Sequence, residues 1–325
     1  MDSPLDLLGV PELPDLLAAV DGRLVRACSA GEPAFSAACV RVVAGGGKRL
    51  RPALTLAIAG LAGAWDARVM AAAAAVELVQ VGSLVHDDIF DEALTRRGTP
   101  TINAVEGETE ALLAGTFMLS RAAAEATAAG QAVAADVART VGQLCVGQAT
   151  ETRHLFDVDQ EMDRYLLTIE AKTAALFGCS CRVGGLSADQ PLEHVSNFGE
   201  FGRNFGMAFQ IVDDVLDLVG DPVRLGKPVG TDIRNGVLTM PVLLELADRR
   251  GGDLHALLVR REPGDLEQAS RVTIGSGRIA EAIEAAREYA ALAATAISRV
   301  PGPTGALSQF PLSYVDWALE QFCAA

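Results

Sequence analysis

Residues 76–91, VELVQVGSLVHDDIFD, end an apolar segment with three aspartates, Asp87, Asp88 and Asp91. Apolar side chains recur there at steps of three and four residues, which predicts a helix with a buried face. Side chains four positions apart lie on the same side of a helix, so Asp87 and Asp91 are expected to share one face. Because like charges repel and burial penalises each of them, this helix end needs a positive partner such as a metal ion.

A second acidic triplet repeats this arrangement in residues 212–221, VDDVLDLVGD, where Asp213, Asp214 and Asp217 follow another apolar segment. One such run is most often a solvated helix face, but two runs in similar settings favour a metal-binding function. Carboxylates from one or two side chains, completed by water and substrate phosphate, are the usual ligands of Mg²⁺. We therefore predict that each triplet is half of a magnesium site and that a phosphorylated ligand supplies the other half.

Clustered cations accompany the triplets. Residues 45–52, GGGKRLRP, place Lys48, Arg49 and Arg51 beside glycines, although Arg49 stands where a P-loop requires Ser or Thr. Exposed backbone and clustered cations suit a diphosphate, and a solvated basic turn fits the segment equally well. Further cations follow each triplet, namely Arg96 and Arg97 after the first and Lys227 after the second.

The rest of the chain is helical in its pattern. It has 325 residues, is 50% hydrophobic and carries a formal net charge of −15. No linker divides it, so we predict one all-α domain over residues 1–325, with the motifs between about residues 45 and 241. The acidic balance argues against nucleic acid as a partner, because such binding needs a basic face.

Two further features bear on the cellular location. The N-terminal segment lacks the basic start of a signal peptide, and the apolar stretch 53–65 is shorter than the roughly 20 residues of a membrane span. We expect a cytoplasmic protein with at most transient membrane contact.

Cys179 and Cys181 form the only close cysteine pair and have no second pair nearby, which favours small core residues over a zinc site.

Five segments together are typical of one enzyme family. GGGKRLRP, VELVQVGSLVHDDIFDEALTRRGTPT, IEAKTAALF, FQIVDDVLD and LGKPVGTDI occur in the order and spacing found in trans-isoprenyl diphosphate synthases. From about Gly45 to Pro241 the chain resembles this polyprenyl synthetase family. The resemblance implies an all-α homodimer with a deep cavity between its helices. It also implies a prenyltransferase that joins isopentenyl diphosphate head to tail to an allylic diphosphate.

The resemblance assigns roles to individual residues. It implies about three Mg²⁺ ions per site, held by Asp87, Asp91, Asp213 and Asp217, with Asp88 in support. Residues matched to those that bind isopentenyl diphosphate are Lys48, Arg51, Gln80 and Arg97. Residues matched to those that bind the allylic diphosphate are Arg96, Lys172 and Lys227. Thr173 and Gln210 match polar residues beside the allylic cation. His86 is expected either to support the first triplet without binding metal or to pack.

Two positions depart from the family pattern and bear on substrate handling. Val237 stands where lysine is frequent, so one diphosphate contact is missing, and Thr116 stands where aspartate is common. Neither change touches a predicted metal ligand. They keep open the possibility that the chain is a subunit that requires a different partner chain, or an inactive scaffold.

Three positions on the predicted helix before Asp87 bear on product length. Ser83, Gly82 and Val79 lie roughly 6, 7.5 and 12 Å before Asp87 at 1.5 Å per residue. Short-chain members of the family place an aromatic floor at the first two of these positions, whereas both are small here. We therefore predict an all-trans product longer than geranylgeranyl diphosphate. The alternative is that Gly82 only allows close helix packing.

Two other activities remain as alternatives. A geranylgeranyl diphosphate synthase would use the same motifs and stop at a shorter product. A class I terpene cyclase shares a first acidic motif, but its second motif usually carries Asn or Asp, then Ser or Thr, then Glu. Here the second motif is DDVLD, and GGGKRLRP would have no substrate to bind in a cyclase.

Overall fold

The predicted all-α fold is confirmed. A computed structural model describes residues 3–29, 31–63, 65–96, 98–225, 228–248 and 252–323. A 3₁₀ helix, Pro4–Leu8, precedes the first α-helices, which are α1 Leu13–Cys28, α2 Pro33–Ala44, α3 Leu50–Gly60, α4 Ala67–Phe90, α5 Ile102–Val105, α6 Glu108–Ala129, α7 Gln131–Arg153 and α8 Met162–Ile169. A π-helical turn, Glu170–Ala174, leads into α9 Ala175–Ser187 and α10 Leu192–Val219.

The remaining helices are shorter until the last two. They are α11 Pro222–Leu225, α12 Thr231–Asn235, α13 Met240–Asp248, α14 Asp253–Arg260, α15 Asp265–Gly275, α16 Arg278–Ser298 and α17 Gly305–Phe322. α11 and α12 lie within 220–236, a segment whose Gly and Pro residues predict a loop. Two short helical turns therefore interrupt that predicted loop.

The chain divides into two compact units. Unit 1 comprises Met1–Gly142, Leu176–Gly202 and Ala296–Ser308, and unit 2 comprises Gln143–Ala175, Arg203–Thr295 and Gln309–Ala325. Unit 1 contains residues 45–52, called the basic loop below, and the first acidic triplet, and unit 2 contains the second triplet. The predicted grouping of the whole chain into one domain around a central cavity stays a prediction.

Helix α4 carries the first triplet and forms much of the core of unit 1. The carboxylate of Asp66 accepts hydrogen bonds from the backbone N–H groups of Arg68 and Val69, which caps the helix start. Small side chains then let α6 approach closely. A Cβ added to Gly82 would lie 3.1 Å from the carbonyl oxygen of Gly115, and one added to Gly115 would lie 3.0 Å from that of Gly82. A side chain at either glycine would require the facing helix to shift.

One strand pair was not expected from the sequence pattern. Strand β1, Thr95–Arg96, pairs antiparallel with β2, Thr99–Pro100, so that Thr95 lies opposite Pro100. The hairpin follows the first triplet immediately. It turns at Gly98, whose φ of 74° suits glycine.

The length of α4 also bears on membrane contact. Among the described residues, α4 alone is long and apolar enough to cross a membrane, with a mean hydropathy of 1.6. The stretch 53–65, which the sequence pattern singles out, is therefore not the longest apolar segment of the chain. The apolar window of α4 is 72% buried inside the protein, and the core helix of a soluble protein has the same length and composition.

Candidate functional site

The three cations of the basic loop, which leads into α3, differ in how deeply they are buried. Lys48 is exposed and Arg51 is half-buried, with its guanidinium carbon 4.2 Å from the centre of the Phe177 ring. Arg49 points into the protein and is only 8% exposed. The positive φ values of Gly46 and Gly47 shape the turn that precedes these side chains. The loop therefore presents Lys48 and Arg51 and buries the cation between them.

The middle aspartate of the first triplet anchors the hairpin. The Asp88 carboxylate is 4% exposed, and its Oδ1 accepts a hydrogen bond of 2.6 Å from Nε of Arg96. The Asn103 side chain donates to the backbone carbonyls of Asp88 and Ala93 at 3.1 and 3.0 Å. Asp88 and Asn103 thereby fix the hairpin that carries Arg96, one of the predicted diphosphate ligands.

The outer aspartates of this triplet differ from Asp88 in exposure. Asp87 is half-buried on the last turn of α4, and Asp91 is the exposed residue that caps the helix end. The Asp91 N–H donates to the Asp87 carbonyl at 2.9 Å, so the two residues lie one helical turn apart, as predicted. His86 packs against α6, with Nε2 at 3.2 Å from the Leu112 carbonyl oxygen, which agrees with its predicted packing role.

The residues proposed to set product length occupy different environments. Val79 is fully buried, and Ser83 is half-buried with its hydroxyl donating to the Gln80 carbonyl at 2.9 Å. Gly82 faces α6, because an added Cβ would lie 3.2 Å from the Met118 Cβ. The structure thus supports a packing role for Gly82, and the role of Ser83 in product length stays a prediction.

The second triplet lies in a hydrogen-bonded chain within unit 2. The π-helical turn places Thr173 so that its hydroxyl donates to the Gln210 side-chain oxygen at 2.7 Å. Gln210 in turn donates to Oδ1 of Asp214 at 2.8 Å, and the Tyr165 hydroxyl donates to Oδ2 at 2.5 Å. π-helical turns occur often at functional sites. These three hydrogen bonds fix the side-chain orientations of Gln210 and Asp214.

The other two acids of the second triplet differ in how far they are exposed to solvent. Asp213 is half-buried, whereas Asp217 is 1% exposed. Oδ2 of Asp217 accepts a hydrogen bond of 3.0 Å from the Asp232 N–H, and its backbone carbonyl accepts one from Gly230. This geometry shows Asp217 anchoring the 228–236 segment, while its predicted role as a metal ligand stays untested.

Lys172 is a predicted diphosphate ligand that lies in unit 2, within the part of the chain that the structure describes. Its Nζ lies 2.5 Å from Oε1 of Glu151, and it sits on the same π-helical turn as Thr173. Two further predicted ligands, Arg97 and Lys227, lie outside the residues that the structure describes.

Burial dominates the electrostatics of Asp214. It raises the pKa of this carboxyl to about 7, and the hydrogen bonds from Tyr165 and Gln210 oppose that rise. The pKa of Tyr165 also lies above its usual range, first because the phenol is buried and then because of the Asp214 charge. The middle acid of each triplet is therefore a buried, hydrogen-bonded group, and the half-buried or exposed outer acids Asp87, Asp91 and Asp213 are better placed to meet a ligand.

The pKa of Asp214 predicts a pH-dependent stability. The folded carboxyl binds its proton more tightly than the unfolded one, so its stabilising contribution is complete below pH 3.8 and is lost as the pH rises toward about 7. The unfolding free energy should fall by up to roughly 1.4 kcal/mol per pH unit in that window. Urea unfolding of the metal-free protein at pH 5, 6 and 7.5 measures it. An Asp214→Asn variant with the same slope as the wild type would contradict the assignment.

The donor set fits Mg²⁺ better than a metal held by protein alone. Within the described residues, no three His, Cys, Asp or Glu side chains converge to hold an ion by themselves. Mg²⁺ is usually bound by one or two carboxylates, with water and substrate phosphate completing its six ligands. Asp87 with Asp91, and Asp213 on α10, match that need for few carboxylates.

Sequence patterns missed the residues that hold the ligands in place. Tyr165, Glu151, Glu77 and Asp232 bear no charge pattern that marks them as partners of a site, and Arg49 stands in the basic cluster with no sign that it is buried. Only a buried position in an otherwise apolar helical stretch distinguishes Glu77, in AAAAAVELVQV. Cys179 and Cys181 are buried on α9, as predicted for small core residues.

Comparison with known proteins places the chain in a family. The sequence profile described as polyprenyl synthetase matches residues 32–272. The chain belongs to the polyprenyl synthetase family. It is 38% identical over 240 residues to heptaprenyl diphosphate synthase component 2 of Geobacillus stearothermophilus, which covers 73% of this chain and 75% of that protein.

Further members of the polyprenyl synthetase family are similar over more of the chain. Nonaprenyl diphosphate synthase of Mycobacterium tuberculosis is 35% identical over 266 residues, 80% of this chain and 79% of that protein. A polyprenyl synthase of Caulobacter crescentus, solved with calcium and isoprenyl diphosphate, superposes with a TM-score of 0.88 at 31% identity over 97% of each chain. As a member of this family, the protein is a prenyltransferase with the all-α isoprenoid synthase fold.

Proposed function

We propose that this prenyltransferase condenses isopentenyl diphosphate with an allylic diphosphate in a Mg²⁺-dependent reaction. The observation that carries the proposal is the repeated acidic triplet. In each one a buried middle acid, Asp88 or Asp214, is held by hydrogen bonds, and its neighbour Asp87 or Asp213 is only half-buried. A relative from Caulobacter crescentus was solved with calcium and isoprenyl diphosphate, which supports the same ligand chemistry here.

The carboxylates Asp87, Asp91 and Asp213 would hold about three Mg²⁺ ions together with the substrate diphosphate, and Asp217 is the fourth predicted ligand. Mg²⁺ held by these carboxylates would supply positive charge to the diphosphate leaving group. Arg96, oriented by Asp88, and Lys172, oriented by Glu151, are proposed to bind the same diphosphate. Charged donors fixed in advance stabilise a developing charge without reorganising during the reaction.

The allylic cation left by this bond cleavage needs polar groups that do not attack it. Thr173 and Gln210 are proposed for this role, because their hydroxyl and amide dipoles are fixed by hydrogen bonds to each other and to Asp214. The double bond of isopentenyl diphosphate then attacks the cation and forms the new carbon–carbon bond, and the released diphosphate accepts the proton that the new chain loses. Lys48, Arg51, Gln80 and Arg97 are proposed to bind the diphosphate of isopentenyl diphosphate, with Arg97 outside the described residues.

The product is proposed to be an all-trans polyprenyl diphosphate longer than geranylgeranyl diphosphate. Ser83 is small and half-buried four residues before Asp87, at a position where short-chain members of the family carry an aromatic floor, which supports a longer product. The names of two relatives, a heptaprenyl and a nonaprenyl diphosphate synthase, agree with a long product.

We also propose that two copies of the chain associate. Beyond the first turn of α6, the exposed side chains carry no charge, and Leu112 and Leu113 are 55% and 51% exposed. Uncharged, partly apolar helix faces are typical of subunit interfaces, and two-fold homodimers are the commonest oligomers. A single-chain mass in solution would contradict the homodimer.

Product sizing tests the proposed function. The purified chain is incubated with Mg²⁺, labelled isopentenyl diphosphate and each allylic primer in turn, and the dephosphorylated products are separated by length. Products beyond geranylgeraniol support the proposal, and geranylgeraniol as the end product would identify the shorter-chain alternative. Activity only after a second, different chain is added would instead assign the role of a subunit. Cyclic hydrocarbons from an allylic diphosphate alone would assign a terpene cyclase.

A further inference from the structure

The basic loop is fixed by a buried ion pair. Nη1 of Arg49 lies 2.6 Å from Oε1 of Glu77, and both side chains are more than nine-tenths buried. Nη2 of Arg49 donates to the Val43 carbonyl at 2.6 Å, and Nε lies 3.0 Å from the Asp21 carboxylate. One guanidinium thereby joins α1, the end of α2, the loop and α4.

The backbone at Arg49 is held in an uncommon conformation. Its φ of 47° and ψ of 31° are left-handed, which is unusual for a residue other than glycine. Such a conformation persists when the surrounding contacts determine it, and it often occurs at ligand sites. The contacts of Arg49 supply that restraint at the start of α3, between the exposed Lys48 and the half-buried Arg51.

Glu77 connects this restraint to the first acidic triplet. It lies on α4 ten residues before Asp87, a distance of about 15 Å along the helix axis. The ion pair therefore fixes the register of the basic loop relative to the helix that carries Asp87 and Asp91. A planar guanidinium suits this task because it donates to several acceptors at once, which a lysine ammonium does not do in the same geometry.

We propose that Arg49, held by Glu77, is a positioning residue for isopentenyl diphosphate. It does not touch the substrate, because it is buried, and it acts by holding Lys48 and Arg51 where they bind the diphosphate. The inference rests on the proposed function of the basic loop. Arg49 looks like Lys48 and Arg51 in the sequence, but it would affect substrate affinity indirectly, by positioning those two side chains.

The test compares Arg49→Met with a matched variant. Arg182→Met removes a half-buried arginine of unit 1, one whose Nε lies 2.9 Å from the carboxylate of Asp136 on α7. Binding of isopentenyl diphosphate is measured by calorimetry, and KM for each substrate and kcat are measured in turnover. Arg49→Met should weaken isopentenyl diphosphate binding about tenfold or more, since small misplacements of binding groups carry large penalties. Arg182→Met should change it less than about twofold.

Additional variants separate positioning from stability and from the proposed function. Arg49→Lys, which keeps one contact to Glu77, should bind with intermediate affinity and serves if Arg49→Met does not fold. KM for the allylic substrate should stay unchanged in both Arg49 variants. Wild-type affinity in Arg49→Lys and Arg49→Met, with weaker binding in Lys48→Ala, would overturn the inference and leave the proposed function standing. Unchanged binding in Lys48→Ala would show that the basic loop does not bind isopentenyl diphosphate. Both the proposed function of the loop and the inference about Arg49 would then be wrong.

Discussion

Replacing Asp87 by alanine should lower kcat by about 1,000-fold or more, because charge stabilisation at a leaving group commonly contributes that much. Asp87 is half-buried on the last turn of α4 and is proposed to hold Mg²⁺ against the allylic diphosphate. The fold should remain, since the buried anchor of the hairpin is Asp88 and not Asp87. Turnover with saturating substrates and Mg²⁺ measures the effect, and circular dichroism reports the fold.

A control for Asp87 lies at the other end of the same helix. Asp66 caps the start of α4, so Asp66→Ala should cost about 1 kcal/mol of stability and leave kcat near the wild-type value. The pair separates loss of chemistry from loss of helix stability. A wild-type rate in Asp87→Ala would remove the metal-binding role of the first triplet.

Replacing Ser83 by phenylalanine should shorten the product by several isoprene units. Ser83 lies four residues before Asp87, roughly 6 Å along the helix axis, where an aromatic ring would form a floor. Its side chain is half-buried, so the substitution replaces no fully buried core side chain. The product lengths of the wild type and the variant, compared under equal substrate ratios, measure the shift.

Gly82→Phe is not an equivalent test. A Cβ at this position already comes within 3.1 Å of the Gly115 carbonyl oxygen, so phenylalanine would separate α4 from α6. We expect that variant to lose stability, whereas Ser83→Phe should unfold close to the wild-type temperature. A Ser83→Phe enzyme with unchanged product length would refute the proposed floor.

Much of the site could be predicted from the sequence because charge is rare in apolar helical segments. The triplets ending at Asp91 and Asp217 stand out for that reason, and helical periodicity gives the all-α fold. The sequence pattern alone does not distinguish the three acids of a triplet. In the structure they differ in burial, and Asp88 and Asp214 are the buried ones held by hydrogen bonds.

The remaining features depend on contacts between distant segments. Arg49 and Arg51 look alike in GGGKRLRP, and only the fold shows that one is buried against Glu77. The same holds for Tyr165, whose partner Asp214 is 49 residues away. Gly82 shows the opposite difficulty, because a small residue predicts either an open path or a close helix contact, and the position of Gly115 favours the second.

We propose that both acidic triplets bind the same allylic diphosphate through Mg²⁺. The most direct measurement is the affinity for an unreactive thiodiphosphate analogue of an allylic substrate, with Mg²⁺ and with EDTA, in the wild type, Asp87→Ala and Asp213→Ala. We expect Mg²⁺ to strengthen wild-type binding about 100-fold, and either substitution to remove most of that gain. If Asp213→Ala retains the full Mg²⁺-dependent gain, the second triplet does not bind the diphosphate and the account is wrong.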